Sequence, residues 1–179
     1  MLRIKRIWEM PNSKTFKIKA IRNLIVEHAH GKVIDPFANE CSIKKHLKNC
    51  EYFSNDLDNE FDTDYHLEAQ DFMKLFDDKS VDVVLFDPPY SGRQVSECYK
   101  KMGKTVTMND TNSGYFTKFK KEISRITKKN GIVISCGWNS NGIGKKYGFE
   151  IIEILLVAHG SMHNDTIITI EKKVSEEGK

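Results

Sequence analysis

The sequence predicts an α/β fold: a doubly wound, Rossmann-like sheet of about seven strands with an antiparallel hairpin at its C-terminal end. Three observations predict it. Short apolar runs alternate along the chain with stretches of helical spacing, a pattern typical of a parallel sheet covered by helices. The run over residues 81–86 is apolar at all but one position, as expected for a strand buried on both faces. The length of 179 residues suits one such domain.

The expected elements can be given in chain order. They are a helix over 18–30, a strand over 32–34, a helix over 42–47, a strand over 51–54, a weak strand over 65–68, a strand over 81–86, a helix over 115–128, and strands over 132–135, 149–157 and 166–170. Residues 91–114 are polar and rich in Gly, Ser, Thr and Asn, so we expect a mobile target loop there. One domain over 1–174 and a disordered tail over 175–179 complete the chain.

Local signals support the principal elements. Ile21, Leu24 and Ile25 fall near one face of the first helix, which ends before Gly31. Each early strand runs directly into an acidic or turn-forming residue, as strand ends in open α/β sheets do. Asn130-Gly131 turns the chain from the last helix into a strand. The sequence therefore places its polar loops at the carboxyl ends of successive strands.

Composition excludes several classes of protein. No apolar run reaches the roughly 18–20 residues of a membrane helix, and the basic N-terminus lacks the apolar core of a signal peptide. The four cysteines form no C-x-x-C pair, so neither a disulfide scaffold nor a zinc ribbon is indicated. We therefore expect a cytoplasmic protein with no membrane partner and no metal site. His159, His163 and Asp165 are interpreted as a polar hairpin loop, because no third ligand has suitable spacing.

Charge is distributed in blocks along the chain. Residues 1–34 carry a net charge of +6, residues 35–82 carry −8 and residues 93–129 carry +7. Basic blocks of this size are typical of nucleic-acid-binding proteins, because Lys and Arg contacts to phosphate release counterions. Solvated helix faces are the alternative interpretation. The candidate phosphate contacts beside the most polar segment are Arg93, Lys100, Lys101 and Lys104.

The chemistry is concentrated in Asp87-Pro88-Pro89-Tyr90, which directly follows the buried strand. Two prolines fix the backbone and leave carbonyl acceptors in place. The Asp87 carboxylate and the Pro88 carbonyl can accept the two hydrogens of an exocyclic amino group, and Tyr90 offers a face for stacking of a flipped base. Such acceptors favour a transition state in which positive charge develops on nitrogen. The alternative is a rigid turn at the end of a core strand.

This motif resembles the catalytic motif of the amino-methyltransferases, which use S-adenosylmethionine to methylate adenine N6 or a similar amino nitrogen. The resemblance extends over most of the chain and is strongest to small phage and prophage DNA adenine methylases. It implies a class I methyltransferase fold, S-adenosylmethionine as cofactor, and catalytic roles for Asp87, Pro88, Pro89 and Tyr90. DNA is the implied substrate, with an RNA amino-methyltransferase of the same fold as the alternative.

The same resemblance implies a set of cofactor-binding residues. Val33-Ile34-Asp35-Pro36-Phe37 is similar to the first cofactor motif, Asn55-Asp56 to the acidic end of the second strand, and Gln70-Asp71-Phe72 to the motif that receives the cofactor's adenine. The implied set is Pro11, Asn12, Thr15, Phe16, Asp35, Pro36, Phe37, Asp56, Asp71 and Phe72. Exposed turn acids remain the alternative for the acids of the middle segment, and core packing remains the alternative for the phenylalanines.

One position departs from the family pattern. Asn39 stands where the first cofactor motif usually has glycine, and no glycine-rich turn follows it. Asn tolerates positive φ better than most residues, so a working loop and a degenerate one both remain open. A catalytically inactive methylase fold that binds nucleic acid or protein is the corresponding alternative function. The chain has no room for a separate recognition domain, so its basic segments, a second copy or a partner subunit must supply target contacts.

Overall fold

The structure is a computed structural model that describes residues 2–107, 114–160 and 162–175. The strands are β1 (Arg3–Trp8), β2 (Lys32–Asp35), β3 (Glu51–Ser54), β4 (Val81–Phe86), β5 (Thr127–Gly137), β6 (Phe149–Ala158) and β7 (Thr166–Lys173). They form a seven-stranded sheet in the order β1-β6-β7-β5-β4-β2-β3. Only β7 runs antiparallel to its neighbours, β5 and β6, within this sheet. The predicted fold class and its C-terminal hairpin are confirmed.

Helices cover both faces of the sheet. The α-helices are α1 (Lys19–His28), α2 (Ala69–Lys74), α3 (Gly92–Lys101) and α4 (Tyr115–Ile126), and one-turn 3₁₀ helices lie at Thr15–Lys17, Lys44–His46 and Lys145–Tyr147. On one face α1 packs through Ile21, Leu24 and Ile25. The other three helices pack on the opposite face, where Phe72 and Phe119 belong to a second apolar cluster. The sheet is therefore doubly wound, and its interior strand β4 is buried on both sides.

The structure corrects two expectations about the middle of the chain. Residues 65–68 form no strand, and only an isolated bridge joins Asn55 to Tyr65. The described part of the expected loop at 91–114 is largely helix α3. That helix begins where the Ser91 side chain accepts a hydrogen bond from the Gln94 amide, and it buries Val95 and Tyr99. Residues 108–113 of the expected loop and residues 176–179 of the expected tail lie outside the described residues.

Further differences are at the start of β5, at the N-terminus and after β2. Strand β5 begins at Thr127, so Asn130 and Gly131 lie inside the strand and not in the expected turn before it. The basic N-terminal arm contains strand β1, which pairs in parallel with β6 at the sheet edge. Its Arg3 and Lys5 side chains form ion pairs with the buried Glu153 of β6. The helix expected over 42–47 is reduced to a single 3₁₀ turn. Within the described residues, no helix is long and apolar enough to cross a bilayer.

Candidate functional site

A cavity of about 530 Å³ opens at the carboxyl ends of β2, β3 and β4. Its volume falls in the range of pockets that enclose small-molecule ligands. Most of the wall comes from the segment before α1, the loops that follow β2 and β3, the motif that follows β4, and helix α3, and Tyr115, Trp138 and Thr166 complete it. Parallel strands bring these loops to one edge of the sheet, which is where open α/β sheets bind ligands.

The Asp87-Pro88-Pro89-Tyr90 segment forms one wall of this cavity. The Tyr90 hydroxyl donates a hydrogen bond to Asp87 Oδ1 at 2.6 Å. The Tyr90 amide donates to Gln94 Oε1 at 2.6 Å, which fixes the backbone of the motif against α3. Burial raises the pKa of the Asp87 carboxyl above its ordinary value, and the Tyr90 hydroxyl partly offsets this effect.

Two aromatic rings flank the motif. Trp138 packs edge-to-face on Tyr90 with 5.6 Å between the ring centroids, and both rings line the cavity. Trp138 is 42% exposed, so its surface is open to a ligand. Glu171 of β7 fixes the loop that follows Trp138, because its carboxylate accepts hydrogen bonds from the amides of Ile143 and Gly144. The structure thus presents an acid, a fixed carbonyl and two aromatic faces at one opening.

The loop after β2 packs over a buried acid, Asp35. Asp35 is fully buried and does not line the cavity. Its carboxyl group accepts a hydrogen bond from the Tyr52 hydroxyl at 2.9 Å and a longer one from the Phe37 amide at 3.4 Å. Burial raises the pKa of Asp35 to about 8, so the group holds a proton at neutral pH. Asp35 therefore supports the turn that carries Pro36 and Phe37 to the cavity wall.

Asp56 lies on the cavity wall at the end of β3. Its carboxylate accepts from the Asn39 amide at 2.8 Å and from the Asp58 amide at 3.0 Å. Each oxygen keeps a further lone pair for a ligand hydroxyl. Burial raises the pKa of Asp56, while these backbone hydrogen bonds lower it. Beneath it, the buried Asn55 side chain donates to the Pro36 carbonyl and so ties the loops after β2 and β3 together.

Asn39 adopts the conformation that the motif glycine would adopt. Its φ is +50°, in the left-handed region that glycine occupies without strain and that Asn tolerates best among other residues. Its side-chain oxygen accepts from Lys14 Nζ at 2.5 Å. The replacement therefore leaves the turn intact and adds a polar link between two cavity walls.

The structure brings most of the expected site residues to the cavity and leaves four of them elsewhere. Those that line it are Asn12, Thr15, Phe16, Pro36, Phe37, Asp56, Asp87, Pro88, Pro89 and Tyr90. Pro11, Asp35, Asp71 and Phe72 do not. Residues 69–74 form α2, which turns Asp71 outward to an ion pair with Lys74 and buries Phe72 completely. Asp71 is therefore an exposed acid, and Phe72 is part of the apolar core.

Four acids that line the cavity were not expected as site residues: Glu40, Asp58, Glu68 and Glu97. Glu68 precedes α2 and accepts a hydrogen bond from the Tyr99 hydroxyl at 2.9 Å. It stands at the end of the expected strand over 65–68, three residues before Asp71. The signal was the start of an apolar helical repeat at Ala69, Phe72 and Met73, which are all buried.

The expected phosphate contacts divide into two pairs. Arg93 pairs with Glu97 within α3 at 2.8 Å, and Lys101 pairs with Asp58 at 3.3 Å. Lys100 and Lys104 are exposed and form no ion pair within the described part of the chain. Half of the expected cations are therefore already compensated by acids.

Comparisons with known proteins identify the fold. No protein-family model matches the sequence, and no curated protein matches it. Many solved structures are similar to this chain, among them the following three. TrmN from Thermus thermophilus has a TM-score of 0.59 at 14% identity, over 87% of this chain and 48% of TrmN. This chain therefore spans about half the length of TrmN.

The other two structures match over most of their length. A 1,6-didemethyltoxoflavin N1-methyltransferase from Burkholderia thailandensis, solved with S-adenosylhomocysteine, has a TM-score of 0.60 at 9% identity, over 88% of this chain and 78% of the enzyme. A putative methyltransferase from Haloferax volcanii, solved with the activator Trm112, has a TM-score of 0.59 at 10% identity, over 93% of this chain and 92% of its own. At such identities the likeness shows the fold: this chain has the Rossmann-like class I methyltransferase fold.

Proposed function

We propose that this protein transfers a methyl group from S-adenosylmethionine to the exocyclic N6 amino group of adenine in DNA. One observation carries the proposal: Asp87, Pro88 and Pro89 line the cavity of a methyltransferase fold directly after the buried strand β4, beside two aromatic rings. An exocyclic amino group needs acceptors in that arrangement, because positive charge develops on its nitrogen during transfer.

The cavity residues fit the proposed cofactor. The Asp56 carboxylate has free lone pairs for the two ribose hydroxyls, and Glu68 is an acceptor placed for the adenine amino group, in the role first assigned to Asp71. Phe37 supplies an apolar wall between them. Asn12, Thr15 and Phe16 lie on the wall nearest the motif, where the methionine end would bind. S-adenosylmethionine supplies an activated methyl group on a sulfonium centre.

The chain's own residues would orient the target nitrogen and accept its excess proton. Asp87 Oδ1 and the Pro88 carbonyl accept the amino hydrogens and so align the nitrogen lone pair with the methyl group. Methyl transfer leaves one proton too many on that nitrogen. A carboxylate with a raised pKa is a suitable acceptor for it, and Asp87 passes it on to solvent.

Tyr90 has two roles in this proposal. In the free protein its hydroxyl occupies Asp87 Oδ1, the position that the target amino group must take. Entry of the base therefore displaces the hydroxyl, while the Tyr90 ring and Trp138 remain as stacking faces. Thr15 Oγ1 lies 3.5 Å from the Tyr90 hydroxyl and offers it an alternative partner.

The fold does not choose the substrate. Its solved neighbours include TrmN and a methyltransferase with bound 1,6-didemethyltoxoflavin. The motif chemistry selects an amino nitrogen on an aromatic ring and is indifferent to the sugar, so RNA remains the second candidate. The Haloferax neighbour forms a complex with an activator protein. A partner subunit or a second copy is therefore a reasonable source of additional target contacts, alongside Arg93, Lys100, Lys101 and Lys104.

The test is a labelled-methyl transfer assay on matched DNA and RNA oligonucleotides of mixed sequence, followed by nucleoside analysis. We expect label in N6-methyldeoxyadenosine. Label in N6-methyladenosine alone would make the protein an RNA methylase. Calorimetric titration with S-adenosylmethionine separates the remaining case: a folded protein that binds no cofactor at millimolar concentration would be a binding module, and the enzyme proposal would fail.

A further inference from the structure

A cluster of cations lies outside the segment that the sequence singled out. Arg22 lies on α1, Lys45 lies on the 3₁₀ turn after β2, and Lys48 follows that turn. Burial lowers the pKa of His46, and the positive charges of these three residues lower it further, so all three lie near that side chain. Lys45 and Lys48 are exposed and Arg22 is half-buried, so their side chains are accessible to solvent.

Packing fixes this surface. Ile43 and Leu47 flank the 3₁₀ turn and are buried in the same apolar cluster as Ile21 and Ile25 of α1. The turn and the helix are therefore fixed in one core cluster, with a buried residue before and after Lys45. A preformed arrangement of charges pays less ordering entropy on binding than a flexible tail does.

The cluster is uncompensated. Its neighbours Lys17 and Lys44 pair with Glu40 and Asp64, but Arg22, Lys45 and Lys48 form no ion pair within the described residues. Helix α3 differs, because its Arg93 is paired with Glu97. A paired cation must give up its carboxylate before it can bind phosphate, and an unpaired one need not.

The cluster also adjoins the candidate site. Glu40 and Ser42 line the cavity, and Ile43 begins the turn that carries Lys45 and Lys48. Lys14 lines the cavity, and Lys17 pairs with Glu40 of the same wall. The segment that carries Lys45 and Lys48 therefore begins at the cavity wall.

We propose that Arg22, Lys45 and Lys48 form a docking surface for the phosphate backbone of the nucleic-acid substrate. This inference rests on the proposed function and adds to it the face of the molecule over which the strand runs. The substrate then approaches from the α1 side of the sheet, with its backbone on the cluster and its target base turned into the cavity. The three contacts are to phosphate and carry no sequence preference.

The experiment compares two variants of equal charge. The first is R22Q/K45Q/K48Q. The control, K121Q/K129Q/K145Q, removes three exposed lysines from α4, the start of β5 and the 3₁₀ turn at 145–147. Binding of a labelled duplex DNA and of a matched RNA is measured by fluorescence anisotropy across a salt series. A thermal melt and a titration with S-adenosylmethionine report the fold and the cofactor site.

We expect R22Q/K45Q/K48Q to lower the slope of log affinity against log salt by about 2–3 on duplex DNA, and the control to change it by less than about 1. Equal slopes for the two variants, with methyl transfer by wild type intact, would overturn the docking surface and leave the proposed function standing. A wild type that binds neither nucleic acid overturns both. Loss of binding to phosphatidylserine vesicles without any change in nucleic-acid slope would assign the cluster to a membrane and also overturn the inference.

Discussion

Two neighbouring strands of this sheet lead into the same dipeptide, Asp-Pro, and the aspartate has a different environment after each strand. β2 ends at Asp35 and is followed by Pro36, and β4 is followed by Asp87 and Pro88. In both loops a tyrosine hydroxyl donates to the aspartate, from Tyr52 at 2.9 Å and from Tyr90 at 2.6 Å. Yet Asp35 is sealed beneath its loop, whereas Asp87 lines the cavity.

The origin of the tyrosine explains the difference. Tyr52 lies on β3, the adjacent strand, so its hydroxyl reaches Asp35 from within the sheet and stays there. Tyr90 lies three residues beyond Asp87 in the same loop, on the cavity side. The Tyr52 hydroxyl forms a buried hydrogen bond with Asp35 that supports the backbone. The Tyr90 hydroxyl forms a hydrogen bond with Asp87 that a ligand in the cavity can replace. The same two-residue motif thus supplies a structural acid and a candidate catalytic acid.

The largest expected effect is on Asp87. Asp87→Ala should lower the single-turnover rate of methyl transfer by about 10²–10³, as loss of one preorganised polar group typically does. The side chain faces the cavity, so its removal leaves no core void and costs little stability. Rapid-quench turnover is measured beside a cofactor titration and a thermal melt. A variant that turns over normally would place the acceptor elsewhere, and one that fails to fold would make Asp87 a structural residue.

A smaller effect is expected at the cofactor end of the same cavity. Asp56→Ala should weaken S-adenosylmethionine binding by about 1.5–3 kcal/mol, because a charged acceptor of two hydroxyls is lost. Asp56→Asn is the matched control, since it keeps the shape that receives the Asn39 amide. Calorimetry gives both affinities. Unchanged affinity in the alanine variant would remove Asp56 from the site.

The buried acid Asp35 should make the free energy of unfolding depend on pH. Asp35 has a pKa of about 8 when folded and about 3.9 when unfolded, so the folded protein holds a proton that the unfolded chain has lost. The contribution of Asp35 to the free energy of unfolding therefore falls as pH rises from about 4 to about 8. Asp35→Asn removes this titration. The fall in melting temperature between pH 5 and pH 8 should be smaller for Asp35→Asn than for wild type, by at least about 3 °C.

Parallel pH profiles for the two proteins would show that Asp35 titrates normally. Asp82→Asn serves as a comparison of opposite sign. Lys128 and the Lys32 amide hold the pKa of Asp82 below its usual value, so its stabilising effect is retained at neutral pH and lost in acid.

The smallest effect is expected from the Tyr90 hydroxyl. Tyr90→Phe keeps the ring and removes the hydrogen bond that competes for Asp87, which is worth about 0.5–1.5 kcal/mol. The oligonucleotide concentration at half-maximal rate should fall by about 2–10-fold. Tyr90→Ala, which also removes the stacking face, should raise it. A rise in both variants would mean that the hydroxyl assists binding and does not compete with the base.

Sequence reasoning succeeded where burial leaves a simple pattern. β4 was predicted with the bounds observed, because a strand buried on both faces reads as one apolar run. Helix α1 was recognised from its single apolar face. The edge strand β1 was missed, since three of its six residues are charged, five are exposed and its partners lie about 150 residues away. Edge strands carry little of the alternation that identifies buried ones.

The candidate site shows the same division. Residues anchored to strand ends, such as Asp56 and Asp87, reached the cavity, because the parallel sheet fixes where those ends lie. Asp71 did not, because one turn of helix decides whether a side chain faces ligand or solvent. The basic cluster at Arg22, Lys45 and Lys48 joins two segments that only the folded core brings together. No local pattern contains that information.

The most direct test of this contrast is a side-by-side measurement of methyl transfer by Asp87→Asn and Asp35→Asn. Both substitutions keep the size of the side chain and remove one carboxyl group. At saturating S-adenosylmethionine and at pH 7, we predict that Asp87→Asn loses at least about 10²-fold in single-turnover rate. Asp35→Asn should stay within about tenfold of wild type, because its contribution is to the loop and not to the reacting atoms. Equal losses in the two variants, or the greater loss in Asp35→Asn, would contradict the account.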